Sequence, residues 1–413
     1  MFGKKDVVLV LLGLVYSSVI ALVSYGFIMV EKLGSHFLWE SLPHQFHLGS
    51  VYSLLVLGLL TSLVTFLKTK WGNLPQTSHD LLHELAENKT VSYHNTWQNL
   101  VLALVILISG AGVGPEAPLL GAVIAYSIWQ ADKLRYLEAN WNQVNGQRVL
   151  KWLEYLFHPS RYLLPYPASQ KQTGKKLRNL LIANGLLVFW LMMRLTDQPS
   201  FVTKLGDASW SLMDILFFLP LCLYGFAVGK GYMWLKGSIR GGLDRLSFTL
   251  PIKLSLGGIA IFLVTLLAPN LLFSGQHSLH SVVELGLETP ALTLIFLSFA
   301  KLLFLEICLW SGWTGGDIFP ITFAAFLQGF AVAQIFPQVD SLFVVLVVSL
   351  SMAIALLGKE WLAGIFISLF FPIQFFLVSL LMIGLTILGR KLNLSITKTE
   401  KTGSLNCSRS SGQ

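Results

Sequence analysis

Long apolar runs dominate the chain, separated by short polar stretches. They cover residues 7–30, 51–67, 180–195, 212–235, 254–272, 292–310, 342–357 and 361–388. Runs of this length predict helices able to cross a bilayer. Further apolar segments at 100–109 and 119–129 flank Gly110-Ala111-Gly112-Val113-Gly114-Pro115-Glu116-Ala117-Pro118. Glycine and proline there predict an interrupted helix and a new one starting at Glu116. Comparable interruptions occur at 71–75, 269–275 and 311–320. Broken helices in both parts of a membrane chain mark segments that line a site near the midplane and point to an inverted repeat. The expected division is a first membrane half, 1–200, and a second, 201–391, meeting in the polar stretch 197–207 around Pro199. A disordered cytoplasmic tail, 392–413, follows, with no room for a soluble regulatory domain. The polar insertion 130–178 is expected to carry a short helix at Val149–Phe157 and a proline-rich stretch (Pro159, Pro165, Pro167).

Composition agrees with this pattern. Of 413 residues, 54% are hydrophobic and 12% charged, against about 25% charged in soluble domains. The mean hydropathy is +0.66. The fold class is therefore all-α integral membrane. The net charge of +8 gathers at Lys4 and Lys5, in 133–178, in 230–245 and from Arg390 onward. The positive-inside rule assigns these regions, and both termini, to the cytoplasmic side of the cell membrane. Nucleic-acid binding has no supporting motif. The first apolar run is too long for a signal peptide and is followed by no small-x-small cleavage site. Cys222, Cys308 and Cys407 are too few and scattered for a disulfide or metal framework.

Glu116 is the leading functional candidate, because a carboxylate at bilayer depth is costly. A helix starting there has unpaired N–H groups and attracts anions. The carboxylate can occupy that anion position itself and so act as a gate. At the second break, Gly315 and Gly316 allow close backbone approach, and the N–H groups of Asp317 and Ile318 can face an anion. The Asp317 side chain is expected to turn away and cap the helix. His79 and His83 share a helix face with Asp80 and Glu84, but lack a third zinc ligand and read as a solvated face. His277 and His280 read as surface residues near Gly275. No phosphate-binding loop supports ATP-driven transport. No metal or enzymatic nucleophile accompanies the two carboxylates.

These residues resemble the CLC family of chloride channels and chloride/proton antiporters. Gly114-Pro115-Glu116-Ala117-Pro118 is similar to the family's gating-glutamate motif. Gly315-Gly316-Asp317-Ile318-Phe319-Pro320 keeps the length, glycines and proline of its second-half motif, with Phe displaced by one. Ser311-Gly312 and Leu272-Phe273-Ser274-Gly275 also fit, the latter resembling the bacterial branch. The resemblance, spanning roughly 51–390, implies a homodimer with one pore per subunit, inverted halves and no cofactor. It implies a gate at Glu116 and anion-binding backbone at Gly72, Asn73, Ala117, Asp317 and Ile318.

The sequence also departs from the family pattern. Gly72-Asn73-Leu74-Pro75 places Gly72 where the family has a chloride-binding serine. No tyrosine follows Tyr232, and Pro115 lacks the N–H of a donor position. The expected region of the antiporters' second glutamate offers Lys171, Gln172 and Lys175, with Glu154 the nearest carboxylate. Passive passage of chloride or a similar small anion is therefore expected. The rivals are a proton-coupled chloride or fluoride antiporter and a degenerate member that transports nothing.

Overall fold

The computed structural model describes residues 3–72, 74–75, 84–88, 90–145, 147–166, 174–196, 204–207, 209–276 and 278–391. Among them all regular elements are helical. The longer ones are α1 (Lys4–His36), α2 (Ser50–Trp71), α3 (Thr96–Ile108), α4 (Glu116–Ala139), α5 (Val149–Phe157), α6 (Lys175–Leu195) and α7 (Phe218–Asp244). They continue with α8 (Leu250–Leu267), α9 (Ala291–Trp310), α10 (Ile318–Ala333), α11 (Ser341–Leu357) and α12 (Glu360–Ser368). A last helical segment covers Ile373–Lys391.

Among the described residues, seven segments are long and apolar enough to cross a membrane: Lys4–Phe46, Ser50–Trp71, Lys175–Leu195, Asp214–Asp244, Leu250–Leu267, Ala291–Trp310 and Ile373–Lys391. In hydrocarbon only internal hydrogen bonds can satisfy the backbone, so uncharged runs of this length fold as helices. The short helix expected in the polar insertion is α5.

One expected run needs correction. Residues 361–388 do not form one helix: α12 ends at Ser368, and a 3-10 turn at Ile373–Phe375 opens the next segment. Pro372 is the cause, since it has no N–H and disfavours a helical residue before it. The carbonyls freed by the break find donors elsewhere. Lys204 Nζ donates to the oxygens of Leu369 and Phe371 at 2.9 and 2.5 Å, and Leu205 N–H donates to Phe370 O at 2.9 Å.

The described chain forms two compact units. One joins Met1–Ser200 with Phe248–Gly275 and Phe304–Pro320; the other joins Phe201–Ser247, Gln276–Leu303 and Ile321–Gln413. In the first, α1 packs on α6 and α4, and α2 on α8. Asn184 of α6 donates to Leu14 O and reaches the hydroxyls of Ser17 and Ser18, tying two apolar helices with polar bonds. The insertion after α4 is anchored by Lys133. Its buried ammonium donates to Tyr155 O at 3.0 Å and Arg161 O at 2.7 Å, and lies over the rings of Trp129 and Tyr162. Asp132, beside it, accepts from Arg135 and from the Tyr93 hydroxyl.

In the second unit α7 packs closely against α11, whose residues from Phe343 to Ala355 are all buried. Glycine sets that approach. A Cβ on Gly225 would stand 2.6 Å from Val348 O and collide with the Ser351 hydroxyl. Tyr232, further along α7, donates to Leu302 O at 2.7 Å. A Phe326–Phe370–Phe371–Phe375 cluster of edge-to-face rings packs around the Pro372 break.

Two substitutions test these arguments. Gly225→Ala is expected to cost about 1–3 kcal/mol, because rigid backbone must shift. Lys133→Met is expected to cost about 2–4 kcal/mol, because the carbonyls of Tyr155 and Arg161 lose their charged donor. Thermal unfolding of the purified variants in detergent reads both as a lowered Tm.

Candidate functional site

The first break lies between α3 and α4 in the first compact unit. Gly110 turns the chain at φ +85, and residues 109–115 are all buried. The carbonyls at the end of α3 acquire donors: Trp39 Nε1 donates to Ile108 O at 2.8 Å, and Phe273 N–H to Gly110 O at 3.1 Å. α4 starts at Glu116, with Pro115 as its N-cap. Proline is tolerated there, because the first helical turn has no N–H bonds to lose. Ala117 and Pro118 are the next two residues of the helix.

The second break lies between α9 and α10, in the same unit. Gly312 has φ +91. Trp313 is fully buried; its backbone N–H donates to Cys308 O at 2.9 Å and its indole N–H to Leu254 O at 3.0 Å. Ser311 Oγ donates to Cys308 O at 3.1 Å.

The two breaks meet at one point. Gly114 and Gly316 exchange a reciprocal pair of backbone hydrogen bonds, each 2.7 Å, as an isolated antiparallel bridge. Side chains are excluded all around it. A Cβ on Gly112 would stand 2.6 Å from the Phe304 ring, and one on Gly315 would run into Val113. A Cβ on either Gly114 or Gly316 would occupy the space of the Glu116 carboxylate. That carboxylate lies over the bridge and reaches the start of α10. Its Oε1 accepts the N–H of Ile318 at 2.7 Å and of Phe319 at 3.3 Å. Its Oε2 is buried without a hydrogen-bond partner.

A carboxylate from one broken segment thus sits on the positive end of the helix that starts after the other. The carboxylate serving these N–H groups belongs to Glu116 and not to Asp317, the capping residue that the sequence suggests. The residue after Phe319 is Pro320, which has no N–H to offer. The donors are those of Ile318 and Phe319. Phe319, the phenylalanine of the second-half motif, thus supplies one.

The remaining candidates lie elsewhere. Gly72 ends α2 at φ +80, exposed, with open space where its Cβ would be. Asn73, His79, Asp80, His83, Lys171, Gln172 and His277 fall outside the described residues. Glu84 accepts the Ser92 N–H, His280 is exposed, and Glu154 accepts the Tyr162 hydroxyl at 2.8 Å in the polar insertion. Phe304 and Cys308 had no signal as site residues. One turn apart on α9, they press against Gly112, whose N–H lies 3.3 Å from Cys308 Sγ.

A family model described as voltage gated chloride channel matches residues 177–387. The chain belongs to this family, the CLC proteins. The match contains the second break, with Gly315, Gly316 and Pro320, and begins downstream of Glu116. The CLC fold is shared with two solved structures. A CLC-type fluoride/proton antiporter superposes with a TM-score of 0.57 at 16% identity, covering 93% of this chain and 95% of the other. A slow cyanobacterial Cl-/H+ antiporter gives a TM-score of 0.60 at 14% identity, covering 89% and 95%. No curated protein matches the sequence.

The bridge carries its own test. Gly114→Ala is expected to push the Glu116 carboxylate off the start of α10, leaving its N–H groups without their acceptor. Hydrogen–deuterium exchange at Ile318 and Phe319 should then speed up by about tenfold or more, as expected when roughly 1.4 kcal/mol of protection is lost.

Proposed function

We propose that this CLC protein carries chloride or a similar small anion across the cell membrane, with the Glu116 carboxylate as the gate. The observation that carries the reading is the pair of hydrogen bonds from Ile318 and Phe319 N–H to Glu116 Oε1. Helix-start N–H groups in a low-dielectric setting replace part of an anion's hydration. A negatively charged oxygen held on them competes directly for that place.

Ionised, Glu116 fills the position. Protonated, it loses the charge that holds it there, and a permeating anion can displace it. The sign follows: acid should open the path. Passive conduction is the preferred form, because the polar insertion supplies no carboxylate at Lys171, Gln172 or Lys175 to relay protons. The positive-inside distribution supports cytoplasmic termini. The family resemblance supports a homodimer with a separate pathway in each subunit.

Chloride efflux from proteoliposomes, with external proton uptake recorded together, tests the reading. Wild-type flux should rise as pH falls, by no more than about tenfold per unit, the limit for one titrating group. Glu116→Gln should be open at every pH. Chloride-driven proton uptake that disappears in Glu116→Gln would instead make the protein an antiporter. Absence of flux in both folded proteins would overturn anion transport altogether.

A further inference from the structure

The helix α2 is apolar on both its exposed and its buried faces. Val51, Leu54, Leu55 and Leu59 are exposed, while Leu57, Leu60 and Val64 form a buried stripe. The stripe ends on Lys68. A lysine near the end of a membrane helix ordinarily extends its stem outward and leaves its charge in the headgroups. Lys68 does the opposite. It is 7% exposed, and its Nζ lies 3.5 Å from Thr314 Oγ1 in the loop between α9 and α10. A Cβ on Gly312 would stand 3.9 Å from the same nitrogen. The ammonium lies against the loop of the second break.

A buried ammonium is costly unless paired or fully hydrogen-bonded. Lys68 carries three donors, and its one hydroxyl contact is at the long limit of a hydrogen bond. Among the described residues no carboxylate pairs with it. Thr314 is the neighbour with capacity to spare. Ser311 Oγ is committed to Cys308 O, and the Trp313 indole to Leu254 O. Thr314 receives the lysine on its oxygen, so its hydroxyl hydrogen is left to donate. A positive charge and a polarised O–H then lie side by side at the second break. Their natural complement is an anion.

We propose that Lys68 and Thr314 form a second anion subsite, separate from the helix start held by Glu116 and two residues before Gly316 on the same loop. The subsite rests on the anion-transport reading and adds a fixed cation to it. Two protein donors cannot strip a halide of all its water, so the anion keeps part of its hydration there. It is held weakly enough to move on, which conduction requires.

The test is chloride binding to the full-length protein in detergent by calorimetry, alongside chloride efflux from proteoliposomes. Lys68→Met should raise the half-saturating chloride concentration about tenfold or more, the scale of one lost charge contact. Lys68→Arg should restore it to near the wild-type value, and Thr314→Val should raise it severalfold. If wild type binds and moves chloride and Lys68→Met does so with unchanged half-saturation, the subsite is overturned and the gate at Glu116 stands. If Lys68→Met fails to fold, Thr314→Val decides, and an unchanged value in that variant overturns the subsite. If wild type neither binds nor moves chloride, the transport reading falls and takes the subsite with it.

Discussion

Backbone N–H groups left open at a helix start, far from water, are the constraint on which the site depends. A broken helix in a membrane exposes donors that no lipid can satisfy. In this chain, donors at the start of α10 are met by a carboxylate from a different broken segment. Much else around the site serves that contact. The glycines at 112, 114, 315 and 316 clear the space, Pro115 and Pro118 place the helix start, and Trp313 and Cys308 pin the second loop. Charge on Glu116 and polarity at the helix end are complementary, which makes the pair stable and makes an anion its competitor.

The same accounting runs through the rest of the fold. Two further breaks draw donors from distant parts of the chain. Trp39 and Phe273 serve the end of α3, Lys204 and Leu205 serve the carbonyls around Pro372, and Asn184 joins α6 to α1. Polar side chains are scarce in the apolar sequence, and many of those buried in the described residues are spent on backbone groups. Lys133 shows the pattern outside the spans, holding two carbonyls of the insertion at once.

Much of this was legible in the sequence. The apolar runs mark the helices closely, the short helix Val149–Phe157 falls where its pattern puts it, and Glu116 opens α4 as Gly114 and Pro115 imply. These features are local, written in periodicity and in the chemistry of proline and glycine. What the local pattern does not encode is long-range. Phe371-Pro372 looks like the interior of one long span until the 3-10 turn is seen. The pairing of Gly114 with Gly316 joins positions about two hundred residues apart. Asp317 has the right chemistry to cap α10, but the N–H groups there are served by a carboxylate that is distant in sequence. Lys68 reads as one more basic residue at a helix end, because sequence alone does not show which way a lysine turns.

The Gly114–Gly316 bridge has a mechanical consequence. Two loops stitched by a reciprocal pair of short hydrogen bonds, with glycines too crowded to accept even a methyl group, cannot swing apart independently. Between them, the side chain of Glu116 is only a handful of atoms turning about a few single bonds. Rotations of that kind take picoseconds to nanoseconds when unhindered, far shorter than the microseconds or more of loop and domain motion. On the proposed reading, a gate so light keeps pace with the anions it admits, and its hinges stay still.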